Sequence, residues 1–247
     1  MFYKYRVPYV VVIDDFFPTN SSNRYPYAQI GADANGVKEV WPILIEKAYA
    51  KFIGSFPEME GGYVSEALEN LTNGVPSSYV FSSPDVAADI QSGKFWKKIL
   101  TWRDKRYLMG AGSNSGKDTD ISALGIVQGH AYSILDAMEI DGAQILQLRN
   151  PWGDATEWKG TWADHSAEWT EARKQQMIAS QQQRGVSQEA HRVGDGVFWM
   201  SFADFLKNFD VLDLCRFFDD YQELCFTSQW SVAKQTAGGC GNYPTVG

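Results

Sequence analysis

Cysteine is scarce in this chain. Its 247 residues include three cysteines, Cys215, Cys225 and Cys240, and all three lie in its last 33 positions. So few thiols in so long a chain do not form a disulfide framework, which indicates a reducing compartment. The first residues carry charge where a secretion signal has its apolar core. We therefore expect a cytoplasmic location.

Long apolar runs and an excess of basic residues are also missing. A transmembrane helix needs about 18 or more consecutive apolar residues, and no such run occurs. Asp and Glu number 30 against 22 Lys and Arg, so the formal net charge is −8. Proteins that neutralise nucleic-acid phosphates usually show the opposite balance. We therefore expect no transmembrane segment and no nucleic-acid partner, whereas cations are compatible ligands.

The apolar patterns predict a mixed α+β fold. Residues 7–14 form a continuous β-branched run that predicts a buried strand. Strand patterns dominate after residue 105, which predicts an antiparallel sheet packed with helices. The character changes near residue 219, so we expect one domain over 1–218 and a linker with a truncated β unit over 219–247. Helical patterns cover residues 41–52, 66–72, a segment opened by Ser83-Pro84, 95–100 and 165–192.

Two polar residues near strand ends suggest a catalytic pair. His130 lies at the mouth of a predicted strand, and Asn150 lies at the end of the strand that returns. A histidine base works best when a second polar group fixes its tautomer and ring angle, and an asparagine carbonyl does so without adding charge. The alternative is that His130 is an ordinary histidine and Asn150 merely turns the chain.

The geometry of the hairpin between His130 and Asn150 decides whether the two side chains lie on the same face of the sheet. Residues 141–142, Asp-Gly, are a turn signal. A two-residue turn with regular pairing would put His130 and Asn150 on opposite faces of the sheet. A three-residue loop over 140–142 would place Asn150 opposite Tyr132, on the face of His130. We therefore predict the bulged loop, or a bulge elsewhere in the hairpin.

Several motifs of the chain occur together in one protease family. The chain resembles the calpain family of calcium-dependent cysteine proteases, specifically the second, strand-rich half of the papain-like catalytic domain followed by the start of a β-sandwich domain. The resemblance implies protein or peptide substrates. The motifs are residues 11–15, 46–51 (EKAYAK), 61–62, 129–134 (GHAYSI), 148–153 (LRNPWG), 157–162 (EWKGTW), 195–202 (DGVFWMSF) and 236–244.

The resemblance assigns roles to individual positions. His130 matches the family's catalytic base and Asn150 the residue that orients it. Trp152 matches the indole that shields this pair from water. Gly129 and Gly62 match positions that line the substrate cleft.

The chain departs from the family in its cysteines. The family's nucleophilic cysteine and oxyanion-hole glutamine belong to the first half of the catalytic domain, ahead of the residues seen here. Cys215, Cys225 and Cys240 all follow His130, and the first two have the character of buried structural residues. Acyl transfer needs a nucleophile, so we expect this chain to be inactive alone and to require a Cys-bearing first half.

Acidic residues suggest a calcium site. Five carboxylates crowd residues 154–171, where Lys159 is the only Lys or Arg, and calcium takes six to eight oxygen ligands, several of them charged. By resemblance, Glu157, Asp164 and Asp195 match calcium ligands and Val193 matches a backbone-carbonyl ligand. Val197 stands where another carboxylate is usual. The alternative is a solvated acidic surface.

The function implied by the resemblance is a calcium-dependent cysteine endopeptidase. This chain would supply the base, its orienting residue, part of the cleft and one calcium site. The alternative is a non-catalytic calcium-binding or interaction module that kept the fold and lost the nucleophile.

Overall fold

The computed structural model describes residues 1–22, 25–28, 31–32, 36–186, 194–218, 229–231 and 233–234. Residues 1–217 form one compact unit and residues 218–247 a second. In the described residues the helices are α1 (Trp41–Ile53), α2 (Val64–Thr72), α3 (Pro84–Gln91), α4 (Lys94–Asp104), α5 (Glu171–Gln183) and α6 (Phe202–Asn208). The strands are β1 (Phe2–Lys4), β2 (Val7–Tyr9), β3 (Gly31–Ala32), β4 (Lys38–Glu39), β5 (Val75–Val80), β6 (Leu108–Ser113), β7 (Ala131–Ile140), β8 (Ala143–Arg149), β9 (Val197–Ser201) and β10 (Phe209–Arg216).

The main sheet of the first unit has six strands. Their order is β5-β10-β6-β7-β8-β9, and every neighbouring pair is antiparallel. The α+β class and the antiparallel sheet are confirmed. The sequence patterns did not predict strand β5 or strand β10. Both pair with strands from distant parts of the chain, and a local pattern does not record such pairing.

Local signals set most helix boundaries. Helix α1 has a proline in its first turn and ends at Gly54, whose positive φ of 139° suits a residue without a side chain. Ser83 adopts an extended conformation before Pro84 opens α3. Ser201 caps α6 by accepting a hydrogen bond from the backbone N–H of Asp204. The predicted helical segment 165–192 contains the shorter helix α5.

Aromatic and aliphatic side chains cover both faces of the sheet. The larger cluster packs α4 and α6 onto one face through buried side chains such as Phe95, Trp96 and Phe205. A smaller cluster is built around Ile145 and Trp199. Successive residues of a strand point to opposite faces, so the neighbouring residues of β8 and β9 supply the two clusters separately.

The prediction of a buried strand over residues 7–14 was wrong. Strand β2 ends at Tyr9, and beyond it Val10, Val12 and Phe16 are 80%, 73% and 79% exposed. Two lysines of α1 hold this segment instead, Lys51 through the carbonyl of Val12 and Lys47 through Asp14 and the carbonyl of Phe16. The apolar pattern favours burial, but Val10 and Val12 are exposed to solvent and Val11 and Ile13 are only partly buried.

The tail is described only in part. Residues 229–231 have no regular secondary structure. The remainder of the predicted β-sandwich segment, including residues 236–244, lies outside the described residues. No helix in the described part of the chain is both long and apolar enough to cross a membrane.

Candidate active site

A bulge in one hairpin decides which residues face each other. The turn between β7 and β8 has two residues, because Ile140 pairs directly with Ala143, so the three-residue loop was wrong. The register shifts between Ile134 and Asp136, which leaves Leu135 as an extra residue on β7. The alternative prediction of a bulge elsewhere in the hairpin is confirmed.

The bulge restores the pairing that the site needs. Beyond it Ile134 pairs with Leu148 and Ser133 with Arg149, so the next step along both strands brings Asn150 opposite Tyr132. Nε2 of His130 then lies 3.0 Å from Oδ1 of Asn150. The structure therefore brings the two predicted side chains into hydrogen-bond contact.

The amide of Asn150 is fully buried and held from three sides. Its Nδ2 donates to the carbonyl of Thr156 at 3.0 Å, and its Oδ1 accepts from the backbone N–H of Trp152 at 3.1 Å. These contacts identify the oxygen of the amide, because a carbonyl cannot donate and an N–H cannot accept. Oδ1 therefore faces His130.

This orientation assigns the tautomer of neutral His130. An amide oxygen only accepts, so Nε2 of His130 must carry the proton in this hydrogen bond. The lone pair then resides on Nδ1, at the other side of the ring. The Asn150 contact thus leaves Nδ1 free to take a proton from an incoming group.

Two aromatic rings flank His130. The Trp152 ring lies 5.0 Å from the His130 ring, centroid to centroid, and the Tyr132 ring meets it edge-on at 5.2 Å. Burial raises the pKa of Tyr132 to about 12, and the Tyr132 hydroxyl accepts from the backbone N–H of Val127 at 3.0 Å. The rings limit water access to the imidazole and restrict its rotation.

Ser113 is a positioning residue that the sequence analysis missed. Its hydroxyl accepts from the backbone N–H of His130 at 2.9 Å and donates to the His130 carbonyl at 3.1 Å. The backbone N–H of Ser113 donates to the same carbonyl at 2.9 Å. The sequence around Ser113 does not predict this role, because its partner, the backbone of His130, lies 17 residues away in the chain.

His130 opens onto a groove of about 960 Å³. Gly62 and Gly129, the two predicted cleft glycines, both line this His130 groove, and Gly61 and Tyr63 lie beside them. One wall is the start of α2 with the turn before it, and the other is the start of β7. The structure thus brings both glycines to the surface that carries His130.

Gly129 is required by its surroundings. Its φ is +58°, and a Cβ at this position would lie 2.3 Å from the carbonyl oxygen of Gly116. Its own N–H donates to the carbonyl of Asn114 at 2.8 Å. A side chain here would therefore push the His130 strand away from the loop that supports it.

We expect Gly129→Ala to destabilise the fold strongly. The left-handed backbone costs an alanine about 1–2 kcal/mol, and the collision adds about 1–3 kcal/mol. Gly142→Ala is the matched control, because Gly142 has a φ of +81° with nothing within 4 Å of the added Cβ. Urea unfolding measures both variants. Equal losses of unfolding free energy in the two would contradict the close packing at Gly129.

A second group of predicted residues surrounds Glu157. Burial raises the pKa of Glu157 above its ordinary value, and the negative charges of Asp164 and Asp195 raise it further. The backbone N–H of Gly196 donates to Oε1 of Glu157 at 2.7 Å, while the carbonyl of Gly196 accepts from the N–H of Asn150 at 2.8 Å. One peptide segment therefore joins the acidic group to the dyad.

The acidic group is not a complete metal cage. Within the described ranges, no three His, Cys, Asp or Glu side chains are grouped closely enough to hold a metal ion. Val193 lies outside the described residues, and Val197, where a carboxylate was expected, donates its N–H to Asp195. The described residues therefore show an electrostatic cluster of three carboxylates and no metal-binding geometry.

Cys215 does not have the environment of a nucleophile. Its side chain is fully buried, and its Sγ lies 3.5 Å from the Thr72 hydroxyl. Burial raises the pKa of the Cys215 thiol, whereas a reactive cysteine needs a lowered one. The prediction of a buried structural cysteine is confirmed for Cys215, and Cys225 lies outside the described residues.

An antiparallel sheet that presents an asparagine-oriented imidazole beside a substrate-sized groove is the architecture of the base-bearing part of papain-like cysteine proteases. Comparison with known sequences gives the same class. The model of the family described as calpain family cysteine protease matches residues 1–216. The chain belongs to the calpain family.

The chain matches parts of much longer curated relatives. It is 40% identical over 233 residues to a calpain-type cysteine protease, DEK1, of Zea mays, covering 94% of this chain and 10% of that protein. It is 34% identical over 253 residues to the calpain-1 catalytic subunit of Rattus norvegicus, covering 96% and 32%. Calpain clp-1 of Caenorhabditis elegans is 32% identical over 259 residues, covering 94% and 30%. The chain thus spans between a tenth and a third of these relatives.

Proposed function

We propose that this chain is the base-bearing part of a calcium-dependent cysteine endopeptidase that cleaves protein or peptide substrates in the cytoplasm. The observation that carries the proposal is the 3.0 Å contact between His130 and Asn150 at the edge of the His130 groove. The free, buried thiol of Cys215 is compatible with a reducing compartment.

In this proposal His130 acts as a general base and then as a general acid. Nδ1 takes the proton of a cysteine thiol, and the thiolate attacks the substrate carbonyl carbon. The imidazolium then returns the proton to the leaving amine as the peptide bond breaks. The neutral Asn150 suits this pair, because the thiolate already supplies the negative charge.

The nucleophile in this proposal comes from a Cys-bearing first half of the catalytic domain. Cys215, the described cysteine, is buried against Thr72, so this chain by itself is expected not to hydrolyse peptides. The exposed apolar run at Val10, Val12 and Phe16 supports a missing neighbour, because such a run is normally covered. Glycines 62 and 129 would admit the extended substrate backbone.

The tautomer of His130 tests the dyad in this chain alone. Long-range ¹H–¹⁵N NMR at pH 8 should show His130 protonated at Nε2, because Asn150 accepts only from a donor. Asn150→Ala should release this preference and give a mixture of tautomers. His165, an exposed residue, provides the internal reference in the same spectra. A Nδ1-protonated His130 in the unaltered chain would exclude it as the base proposed here.

We propose calcium as the ligand of the acidic group, with Glu157, Asp164 and Asp195 as carboxylate ligands and the Val193 carbonyl as a fourth. The electrostatics support it, because a cation would relieve the repulsion that raises the pKa of Glu157. When bound, calcium would hold these carboxylates together. Gly196 links Glu157 to Asn150 and thereby ties this group to the dyad.

Glu157→Gln tests this assignment through stability. The raised folded pKa means that Glu157 favours the fold below its ordinary pKa and that this contribution is lost as the pH rises through the folded pKa. Without calcium, the variant should therefore melt above the unaltered chain at pH 7, and the difference should vanish below about pH 4.

Calcium should reverse this order at pH 7. An ion at 100 times its Kd stabilises the fold by about 2.7 kcal/mol, and Glu157→Gln should lose most of that gain. Glu171→Gln is the matched control, because Glu171 lies on the exposed start of α5. No heat of binding at millimolar calcium in titration calorimetry would refute the site.

The alternative function is a non-catalytic calcium-binding or interaction module. The coding sequence upstream of Met1 separates the two. A Gln followed by a Cys at a helix start favours the protease, and an unrelated upstream region favours the module.

A further inference from the structure

A second groove of about 480 Å³ lies where α4 and α5 end. The side chains of Arg103, Arg106 and Arg184 line it, and it shares no lining residue with the His130 groove. We call it the arginine groove. It is thus a separate surface feature of the first unit.

Two of the three guanidinium groups are already paired. Arg103 binds Asp104, with Nη2 at 2.7 Å from Oδ1, and Arg184 binds both carboxylate oxygens of Asp136 at 2.7 and 2.8 Å. Arg106 makes no side-chain hydrogen bond or ion pair with any residue that the structure describes. Among the described residues, Arg106 is therefore a groove-lining arginine whose guanidinium has no protein partner.

The fold does not need an arginine at position 106. Arg106 follows the end of α4 and has a φ of +55°, and its N–H closes the helix on the carbonyl of Arg103 at 2.9 Å. Glycine is the residue that best fits this left-handed position after a helix. Only the backbone of Arg106 takes part in ending the helix, so its side chain is available for another role.

Charge and shape define the ligand. Among the described lining residues three arginines stand beside two carboxylates, so these residues carry one excess positive charge on a chain of net charge −8. A single excess charge matches a monoanionic carboxylate rather than a phosphate dianion, and a guanidinium binds a carboxylate through two parallel hydrogen bonds. The exposed apolar side chains of Leu108, Leu135 and Val186 line the same groove.

We propose that the arginine groove binds an acidic peptide segment of a protein partner, with a Glu or Asp carboxylate on Arg106 and flanking apolar side chains on Leu108, Leu135 and Val186. The site is independent of the catalytic role proposed above. It requires neither the nucleophile nor calcium.

Fluorescence anisotropy with a defined probe tests the proposal. The probe is a fluorescein-labelled, end-capped hexapeptide of alternating Leu and Glu, and its partner probe has Gln in place of each Glu. The Leu-Glu probe should bind the unaltered chain at least tenfold more tightly than the Leu-Gln probe. Arg106→Gln should weaken binding at least tenfold, whereas Arg149→Gln, the same change at an exposed position outside the groove, should change it less than twofold.

Arg106→Gly separates binding from folding. It should lose at least tenfold in affinity while its thermal midpoint stays equal to that of the unaltered chain or rises. A lowered midpoint would assign Arg106 to holding the helix end and overturn the proposal. No binding of the Leu-Glu probe at 1 mM, equal binding of the two probes, or equal losses in Arg106→Gln and Arg149→Gln would each overturn it as well.

Discussion

His130→Ala is expected to lower kcat/KM for peptide hydrolysis by a factor of about 10⁴ in a complete enzyme, one in which this chain works with a nucleophile-bearing first half. The alanine removes the group that takes the thiol proton and returns it to the leaving amine. The fold should persist, because the His130 side chain is only partly buried and Ser113 holds the backbone there. Cleavage of a quenched fluorogenic peptide measures the effect.

The control for this loss is His165→Ala. His165 is exposed, so its removal should leave kcat/KM within about twofold of the unaltered enzyme, as for most surface changes. Hydrolysis that survives His130→Ala at any calcium concentration would refute the mechanism. Binding of an uncleaved peptide should be reduced far less than turnover, since the groove walls remain.

Arg184→Met should lower the free energy of unfolding by about 3–5 kcal/mol. Asp136 is almost fully buried, and both of its oxygens bind Arg184. Without the guanidinium, the donors left to its charge among the described residues would be the N–H of Ala137 and the amide of Gln181. A buried carboxylate without a cation is costly, so the end of α5 should detach from β7 first. The midpoint of urea unfolding measures the loss.

Arg173→Met is the matched control for this prediction. Arg173 pairs with Asp141 at 2.9 Å, but the Asp141 side chain is 57% exposed, so water replaces the lost partner. The expected cost is below about 1 kcal/mol. The double variant Asp136→Leu, Arg184→Met should recover much of the loss, because both charges are then gone. Equal costs in Arg173→Met and Arg184→Met would show that the Asp136 pair contributes no more than an exposed one.

The functional elements were largely predictable wherever the signal is local. Helix α1 follows from its apolar spacing and Gly54, and the start of α3 follows from Ser83-Pro84. At His130 and Asn150 the residue types alone left two interpretations open, and the resemblance of the surrounding motifs to one family supplied the proposed roles of base and orienting residue. The prediction of a buried strand at residues 7–14 failed. A β-branched run indicates a preference for burial, but it does not indicate which part of the protein would bury it.

What the sequence determined by itself is the inventory of chemistry: an imidazole, a neutral amide partner, glycines for a cleft, an acidic group, and no cysteine before position 215. The tertiary structure decided which of these meet. The one-residue bulge at Leu135 turns Asn150 onto the face of His130, and the pairing of β6 with β7 brings Ser113 to the His130 backbone. Both depend on contacts between distant strands, whose register is set by packing over the whole sheet and cannot be read from either strand alone.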